Sequence, residues 1–192
     1  MRMINIGIDF ATKNNRITGS LEFYNKKGSN LFGLAPIDYT TGVTTMLWNV
    51  AGMKGNGIDV VLNTKNIDKA FKWNTIINFS TYKDEVTDYY LPTTFASDFV
   101  TQSGSTAPIS GVIGLPVYSV FAYKWAGLDP ETGAPRGYLN GEISKNYSEI
   151  TSSDRGIEDL QYFGSAIPTS FGSFINSLSY MQLNLDIGIT YK

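Results

Sequence analysis

The sequence contains no cysteine and no histidine among its 192 residues. Their absence excludes disulfides, Cys/His zinc sites and catalytic units that need a histidine base. Charge is also scarce: Asp, Glu, Lys and Arg make up only 17% of the chain, against roughly 25% in ordinary soluble domains. The net charge is −2, so nothing in the composition points to a nucleic-acid partner. Carboxylate chemistry is not excluded.

Long apolar helices are also missing. Phe99–Tyr123 and Leu160–Leu185 carry no charge and have the length of a transmembrane helix. Both are interrupted by proline and are rich in Ser and Thr, which favours β structure. The first residues, Met1–Asn5, lack the apolar stretch of a signal peptide. We therefore expect either a cytosolic chain or a piece of a longer protein without its own leader.

The dominant pattern is alternation of apolar and polar residues with period two. Ile4–Phe10 and Ile17–Phe23 predict a hairpin about the polar turn Lys13–Arg16. Further strands are predicted at Gly57–Asn66, Phe71–Ser80, Val117–Trp125, Phe174–Tyr180 and Leu183–Lys192. Apart from Phe174–Tyr180, their lengths of about 9 to 11 residues suit a tilted bilayer crossing. The last two form a hairpin about Met181 and Gln182.

Long stretches without a clear period separate these strands: Asn25–Asn56, Asp84–Leu115 and Ala126–Thr169. Within the last of them, Tyr138–Tyr147 is a weak strand candidate. Connections of that length are unusual in a compact soluble domain. They are typical of outer-membrane β-barrels, which combine long loops on one side with short turns on the other. From pattern alone, a membrane barrel and a soluble β-sandwich both remain open.

Several segments resemble the SusC/RagA family of TonB-dependent outer-membrane transporters. The first hairpin with Phe23–Lys27 is similar to a recurrent barrel hairpin of that family. Asn49–Asn63 resembles a strand entry, although Ala51 stands where a glycine is expected. The remaining similar stretches are Phe71–Thr75 with Asn78–Ser80, Trp125–Gly133, Gly164–Pro168 and Gly172–Asn176.

The resemblance implies an all-β fold: an antiparallel meander forming part of a large transmembrane β-barrel, with long extracellular loops and short periplasmic turns. Residues 1–192 would be a partial, interior-to-late segment of the barrel domain, without plug, N-terminal extension or signal peptide. The implied function is import, across the outer membrane of a Gram-negative bacterium, of oligosaccharide or peptide captured with a SusD-like lipoprotein. TonB would act through a missing N-terminal part, outer-membrane lipid would surround the barrel, and no cofactor, metal or catalytic residue is expected.

The two faces of the strands then acquire roles. We expect Ile6, Ile8, Leu21, Val60, Ile77 and Ile187 on the convex face of one curved antiparallel sheet. The residues predicted to face the lumen are Asn5, Asp9, Glu22, Asp59, Asn63, Asn74, Asn78, Asn184 and Asp186. The residues predicted to face lipid are Ile4, Ile6, Ile8, Phe10, Leu21, Phe23, Ile58, Val60, Leu62, Trp73, Ile77, Phe79, Leu185, Ile187 and Ile189.

Aromatic residues in the predicted loops are weak candidates for substrate binding, because flat rings stack on sugars. They are Tyr39, Trp48, Tyr89, Tyr90 and Tyr138. Packing of one loop against another, or against the lipoprotein, is the more ordinary role for them. Gly127–Gly133 predicts a turn rather than a calcium loop, because it lacks the regular ligand spacing of an EF-hand.

Two other functions stay open. One is a secreted β-sandwich that binds carbohydrate. The other is a glycan hydrolase that uses acidic pairs such as Asp84–Glu85 or Asp154 with Glu158–Asp159.

Overall fold

The computed structural model describes residues 1–91, 95–100 and 111–192, with Leu34 described by its backbone alone. The structure is mostly antiparallel β. Its strands are β1 (Arg2–Ala11), β2 (Ile17–Pro36), β3 (Thr45–Asp68), β4 (Phe71–Tyr89), β5 (Ser119–Tyr123), β6 (Trp125–Leu128), β7 (Pro135–Leu139), β8 (Glu142–Ser144), β9 (Leu160–Ser165), β10 (Ser170–Tyr180) and β11 (Leu183–Tyr191). Two short helices, α1 (Ala96–Val100) and α2 (Tyr147–Ile150), accompany them. Within the described ranges, no helix is long and apolar enough to cross a membrane.

The chain divides into two compact units. Unit 1 comprises Met1–Ser29, Met53–Asp84 and Pro168–Lys192, and unit 2 comprises Asn30–Gly52 and Glu85–Ile167. Strands β2, β3 and β4 contribute residues to both units. Each unit is described separately below.

The backbone of unit 1 is a six-stranded sheet in the order β1-β2-β3-β4-β10-β11. The predicted first hairpin is confirmed, with Ile6 opposite Phe23 and Ile8 opposite Leu21. The C-terminal hairpin is also confirmed, with Phe174 opposite Ile189. Strand β10 pairs antiparallel with β4 on its other side, where Phe174 lies opposite Ile77. The large sheet is therefore one antiparallel sheet, as expected.

Tight turns join the strands of each hairpin. The turn between β1 and β2 is a 3-10 turn over Lys13–Asn15, in which Asn14 has φ 61° and Asn15 has φ 51°. Asparagine tolerates this left-handed region better than most residues do. The turn between β10 and β11 places Met181 at φ 53°, where no such preference helps.

The prediction of strands with about 9 to 11 residues is wrong for the middle of the sheet. Strand β2 has 20 residues, β3 has 24 and β4 has 19. Most of Asn25–Asn56, predicted to be irregular, is therefore strand, interrupted by a 3-10 turn at Tyr39–Thr41. Likewise, β4 continues beyond Asp84 to Tyr89; residues 92–94 and 101–110 of that stretch lie outside the described residues. Backbone pairing in a sheet overrides the weak strand propensity of Gly, Asn and Thr-rich segments.

Unit 2 holds two further sheets. The strand predicted at Val117–Trp125 is present as the shorter β5, and it pairs with β9 in a two-stranded sheet instead of joining the large one. Strands β6, β7 and β8 form a three-stranded sheet that lies almost entirely in Ala126–Thr169, where Tyr138–Tyr147 is the one predicted strand candidate. Strands β6, β7, β8 and β9 are only 3 to 6 residues long, too short for an alternating pattern to stand out.

A small apolar core stabilises unit 2. Ala96, Phe99, Phe121 and Leu160 are buried together, and the rings of Phe99 and Phe121 meet edge to face with centroids 5.3 Å apart. Helix α1 thus packs on β5 and β9. Helix α2 is capped by Asn146, whose side chain accepts a hydrogen bond from the Glu149 N–H, and it buries Ile150.

Candidate functional site

The register of unit 1 separates its side chains into two faces. Paired residues of neighbouring strands point to the same side, and successive residues alternate. Gly57 of β3 lies against the ring of Tyr24 on β2, and Gly55 lies against Tyr82 on β4. These contacts join the even-numbered residues of β2 and β4 to the odd-numbered residues of β3. The two faces are therefore continuous across the sheet.

One face collects the polar residues, and we call it the polar face. The structure places on it all nine residues predicted to face the lumen, from Asn5 on β1 to Asp186 on β11. Side chains of this face form hydrogen bonds across strands: Asn5 donates to Glu22 at 3.3 Å, and Asn78 donates to Ser173 at 2.9 Å. Lys26 lies over the ring of Tyr24, 4.8 Å from its centroid.

The opposite face, which we call the apolar face, carries all fifteen residues predicted to face lipid. Many of them are strongly exposed, including Ile6 and Ile8 at 62% and Ile189 at 60%. Phe10 and Tyr191 cover the glycines that pair with them, Gly19 and Gly172. A half-buried soluble strand would hide these side chains. Here they form an uncovered apolar surface within the described unit.

A chain of polar side chains interrupts the apolar face, and the sequence patterns missed it. Asn66 donates to the Thr75 hydroxyl at 2.7 Å, and Thr75 donates to Asn176 Oδ1 at 2.8 Å. The indole N–H of Trp73 donates to the same Asn176 oxygen at 2.9 Å. Thr75 is only 6% exposed. These side chains hydrogen-bond to one another, so the apolar face can contain amides that have hydrogen-bond partners.

Unit 2 contains a cleft of about 280 Å³ lined by Lys124, Tyr138, Gly141 and Asp159. Lys124 Nζ donates to the Glu158 carbonyl at 2.6 Å. The Asp159 carboxylate lies 3.6 Å from Arg155, which also donates to Asn140 at 2.9 Å. Tyr138 is part of β7, opposite Ile143 of β8. The cleft thus combines one aromatic ring with fixed charges of both signs.

The five aromatic candidates all lie in unit 2, but the prediction that they sit in loops is wrong for three of them. Trp48 belongs to β3, Tyr89 to β4 and Tyr138 to β7. Tyr39 lies in the 3-10 turn and is 77% exposed, whereas Tyr90 directly follows β4. Strands β3 and β4 extend further than their alternating segments, which explains the error for Trp48 and Tyr89. Tyr138 lies in the five-residue β7, which is too short for alternation to stand out.

Their surroundings differ as well. Only Tyr138 of the five lines the cleft. The ring of Tyr89 packs against the backbone at Gly111, which is the ordinary packing role considered above. A contact of these five residues with substrate stays a prediction.

The predicted turn at Gly127–Gly133 is confirmed for Asp129–Gly133, whereas Gly127 and Leu128 belong to β6. Asp129 organises the turn. Its carboxylate accepts hydrogen bonds from Lys145 Nζ, from the Thr132 N–H and hydroxyl, each at 2.9 Å, and from the Glu131 N–H at 3.1 Å. The ammonium of Lys145, followed by the Thr132 donors, holds the pKa of Asp129 far below its usual value. This carboxylate acts as a turn anchor. The described residues contain no cluster of acidic side chains suited to a metal ion.

The acidic pairs considered for hydrolysis are also engaged locally. Asp154 accepts a hydrogen bond from the neighbouring Ser152, and Asp159 is paired with Arg155. Asp84 is 8% exposed. No observation on these groups favours a hydrolase.

Comparison with known proteins gives a consistent result. No family profile matches the chain. Among curated proteins, TonB-dependent receptor P3 of Formosa agariphila is 24% identical over 97% of the chain and 19% of its own length. TonB-dependent receptor SusC of Bacteroides thetaiotaomicron is 27% identical over 62% of the chain and 13% of its own length.

Solved structures give the same result for the fold. The RagAB peptide transporter matches with a TM-score of 0.71 and 22% identity, and the RagAB peptide importer in its open-open state with 0.73 and 24%. Each comparison covers 98% of the chain and 20% of the solved chain. The chain therefore spans about a fifth of the length of these relatives. The resemblance drawn from the sequence is confirmed for that segment, and these relatives are TonB-dependent receptors and a peptide transporter.

Proposed function

We propose that this chain forms part of the wall of an outer-membrane β-barrel in a TonB-linked transporter that imports glycans or peptides. The observation that carries the proposal is the two-faced sheet of unit 1. One face is polar and cross-bonded, and the other presents exposed Ile, Leu, Phe and Trp side chains over six strands. Alternation of this kind matches barrel strands with lipid on one side and a polar interior on the other.

The exposed apolar face is the reason we expect lipid to surround unit 1. In water, a continuous surface with Ile6, Ile8 and Ile189 about 60% exposed would be an aggregation hazard. In a bilayer the same side chains are solvated by acyl chains, and the paired backbone leaves few polar groups to the hydrocarbon. The secreted β-sandwich, which would bury these residues between two sheets, is not favoured.

The remaining parts of the proposal follow the likeness to the relatives. Residues 1–192 would be a segment of the barrel domain in a Gram-negative outer membrane, with the polar face towards the lumen. A SusD-like lipoprotein would deliver oligosaccharide or peptide to the outer mouth. Coupling to TonB would belong to a part of the receptor other than the segment these residues match.

The cleft of unit 2 is the most concrete candidate for substrate contact. Tyr138 offers a ring for stacking, while Lys124 and Asp159 lie beside it with hydrogen-bonding groups. Tyr39, Trp48 and Tyr90 are more exposed, at 77%, 57% and 69%, and remain secondary candidates. Ligands with both hydroxyl and charged groups suit such a lining.

Site-directed labelling tests the orientation of the sheet directly, because the chain has no native cysteine. Cysteines replace neighbouring residues of opposite faces: Ile6→Cys against Asn5→Cys, and Ile187→Cys against Asp186→Cys. In outer membranes, fluorophores at Ile6 and Ile187 are expected to be quenched by lipid-borne quenchers. Cysteines at Asn5 and Asp186 are expected to react with a water-soluble maleimide. Equal water accessibility for both members of each pair would contradict the proposal.

A further inference from the structure

The apolar face of the first hairpin carries two basic side chains, Arg2 and Lys27. Within residues 2–11 and 17–28, the face contains Ile and Phe side chains, and its only charged members are Arg2 and Lys27. The acidic residues of the same hairpin, Asp9 and Glu22, lie on the polar face. The apolar face of the hairpin therefore has a purely positive charge, and it is concentrated at one end.

The pairing of β1 with β2 places these two positive charges next to each other, which lowers the stability of the sheet unless an anion lies between them. Arg2 and Lys27 are direct cross-strand partners, and like charges placed opposite each other destabilise a sheet. Both residues are exposed, and neither makes an ion pair or a side-chain hydrogen bond among the described residues. The adjacent Lys26 shows the contrast, because it lies over the ring of Tyr24 on the polar face. Among the described residues, Arg2 and Lys27 have no comparable partner.

Their position relative to the apolar residues is defined by the strands. Ile4, Ile6, Ile8 and Phe10 follow Arg2 on β1 at every second residue, and the short turn at Lys13–Asn15 comes after them. The cations thus lie at the far end of the apolar row from the short turns. In the proposed function this end faces the cell exterior. Long basic side chains at such a boundary can keep their stems on apolar surface while their charged groups reach the headgroup region.

We propose that Arg2 and Lys27 bind the phosphate group of an outer-leaflet lipid whose acyl chains lie along Ile4, Ile6 and Phe23. This inference rests on the proposed function, because it requires the apolar face to meet lipid. A guanidinium presents a planar fork of donors that fits phosphate, and an ammonium adds a second charge. One phosphate between the two cations replaces their repulsion by two attractions. A lipid fits better than free phosphate, since the adjoining apolar row then also has a partner.

The test uses the protein purified in mild detergent from its own outer membrane, with retained phospholipid counted by native mass spectrometry and phosphorus analysis. Arg2→Gln/Lys27→Gln is expected to lower the phosphate-bearing lipid retained by about tenfold, the loss expected from removing charge-assisted hydrogen bonds. Arg2→Lys/Lys27→Arg is expected to retain it. The matched control, Lys13→Gln/Lys69→Gln, removes the same charge at the turn end and is expected to leave retention unchanged.

Further experiments distinguish lipid phosphate from free phosphate, and distinguish failure of this inference from failure of the proposed function. In delipidated protein, phosphatidic acid should bind, whereas diacylglycerol with the same chains and inorganic phosphate alone should not. Equal binding of inorganic phosphate, or equal lipid retention by the Gln/Gln variant, would overturn the inference. Membrane fractionation comes first: a protein absent from the outer membrane refutes the proposed function itself, whereas membrane protein with unchanged lipid refutes only this inference.

Discussion

The two units differ in where their apolar side chains lie: unit 2 buries a set of them, whereas unit 1 does not. Every buried hydrophobic side chain among the described residues lies in unit 2: Val50, Val86, Ala96, Phe99, Phe121, Ile150 and Leu160. In unit 1 the buried side chains with functional groups are polar, namely Thr75 and Asp84, while none of the isoleucines and leucines is buried. Unit 2 follows the rule for soluble proteins, and unit 1 reverses it.

Under the proposed function, this reversal follows from the different surroundings of the two units. A soluble unit gains stability by removing apolar area from water, at about 25 cal/mol per Å². A sheet surrounded by lipid gains little from burying such area, because acyl chains are as apolar as leucine. Its stability depends more on satisfying every polar group within the sheet. The comparison predicts that apolar truncations weaken unit 2 and that lost hydrogen bonds weaken unit 1.

Truncating the core of unit 2 has the largest expected effect. Phe121→Ala removes a ring that contacts both Phe99 and Tyr162 and should cost about 3–5 kcal/mol of unfolding free energy. Ile187→Ala on the apolar face of unit 1, which is 48% exposed, should cost at most about 1 kcal/mol in lipid. Chemical unfolding in bilayers or detergent, with hydrogen exchange to localise the loss, measures both.

Phe163→Ala is the control for the loss of a ring in unit 2, because Phe163 is 59% exposed. It should change stability by no more than about 0.5 kcal/mol. The comparison between units breaks down if Ile187→Ala costs as much as Phe121→Ala.

Sequence reasoning succeeded where one strand pattern contained enough information. In Ile4–Phe10 and Leu183–Tyr191 the contrast between apolar and polar residues is complete, so strand, hairpin and face could all be read locally. In Asn25–Asn56 that contrast is lost, and the strand is held by its neighbours. The order of strands in unit 2 depends on pairs such as Phe121 with Tyr162, which are 41 residues apart and have no local signal.

The candidate sites also differ in whether a local sequence pattern or a contact between distant residues defines them. Both faces of the sheet could be assigned from alternation. The bond between Thr75 and Asn176 could not, because it requires the register of two strands that are 101 residues apart in sequence. Neither could the cleft, whose lining comes from Lys124, Tyr138, Gly141 and Asp159 on separate short elements.

Breaking the polar chain of unit 1 should have the next largest effect. Thr75→Val keeps the shape of the side chain but leaves Asn66 and Asn176 without the hydroxyl between them. Loss of such a buried partner costs about 1–3 kcal/mol. Thr75→Ser retains the hydroxyl and should recover most of the loss. Unfolding in detergent measures both variants, and equal destabilisation by Val and Ser would show that packing, not hydrogen bonding, matters at this position.

The Asp129 turn of unit 2 should make a smaller contribution to stability, and this contribution should depend on pH. The pKa of Asp129 is lowered mainly by Lys145 and then by the Thr132 donors. Because the folded pKa is depressed, the contribution to stability is complete above the ordinary carboxyl value of about 3.9 and is lost as pH falls through the folded pKa. The carboxyl carbon shift of Asp129 in an NMR titration should have its midpoint well below that value. Lys145→Gln should raise the midpoint, whereas Glu131→Gln should not move it.

The smallest expected effect concerns the last turn of unit 1. Four of the five described non-glycine residues with positive φ are asparagines, and the fifth is Met181 at φ 53°. A side chain without a local hydrogen bond is disfavoured in this region by about 1–2 kcal/mol, and asparagine reduces that cost. Met181→Asn should therefore raise the unfolding free energy by about 0.5 kcal/mol, a gain made without burying any apolar area. Met53→Asn in β3 is the matched control and should give no gain, since a strand does not favour asparagine. A loss of stability in Met181→Asn would mean that the exposed thioether contributes through contact with lipid, and that apolar contact matters in unit 1 even at its turns.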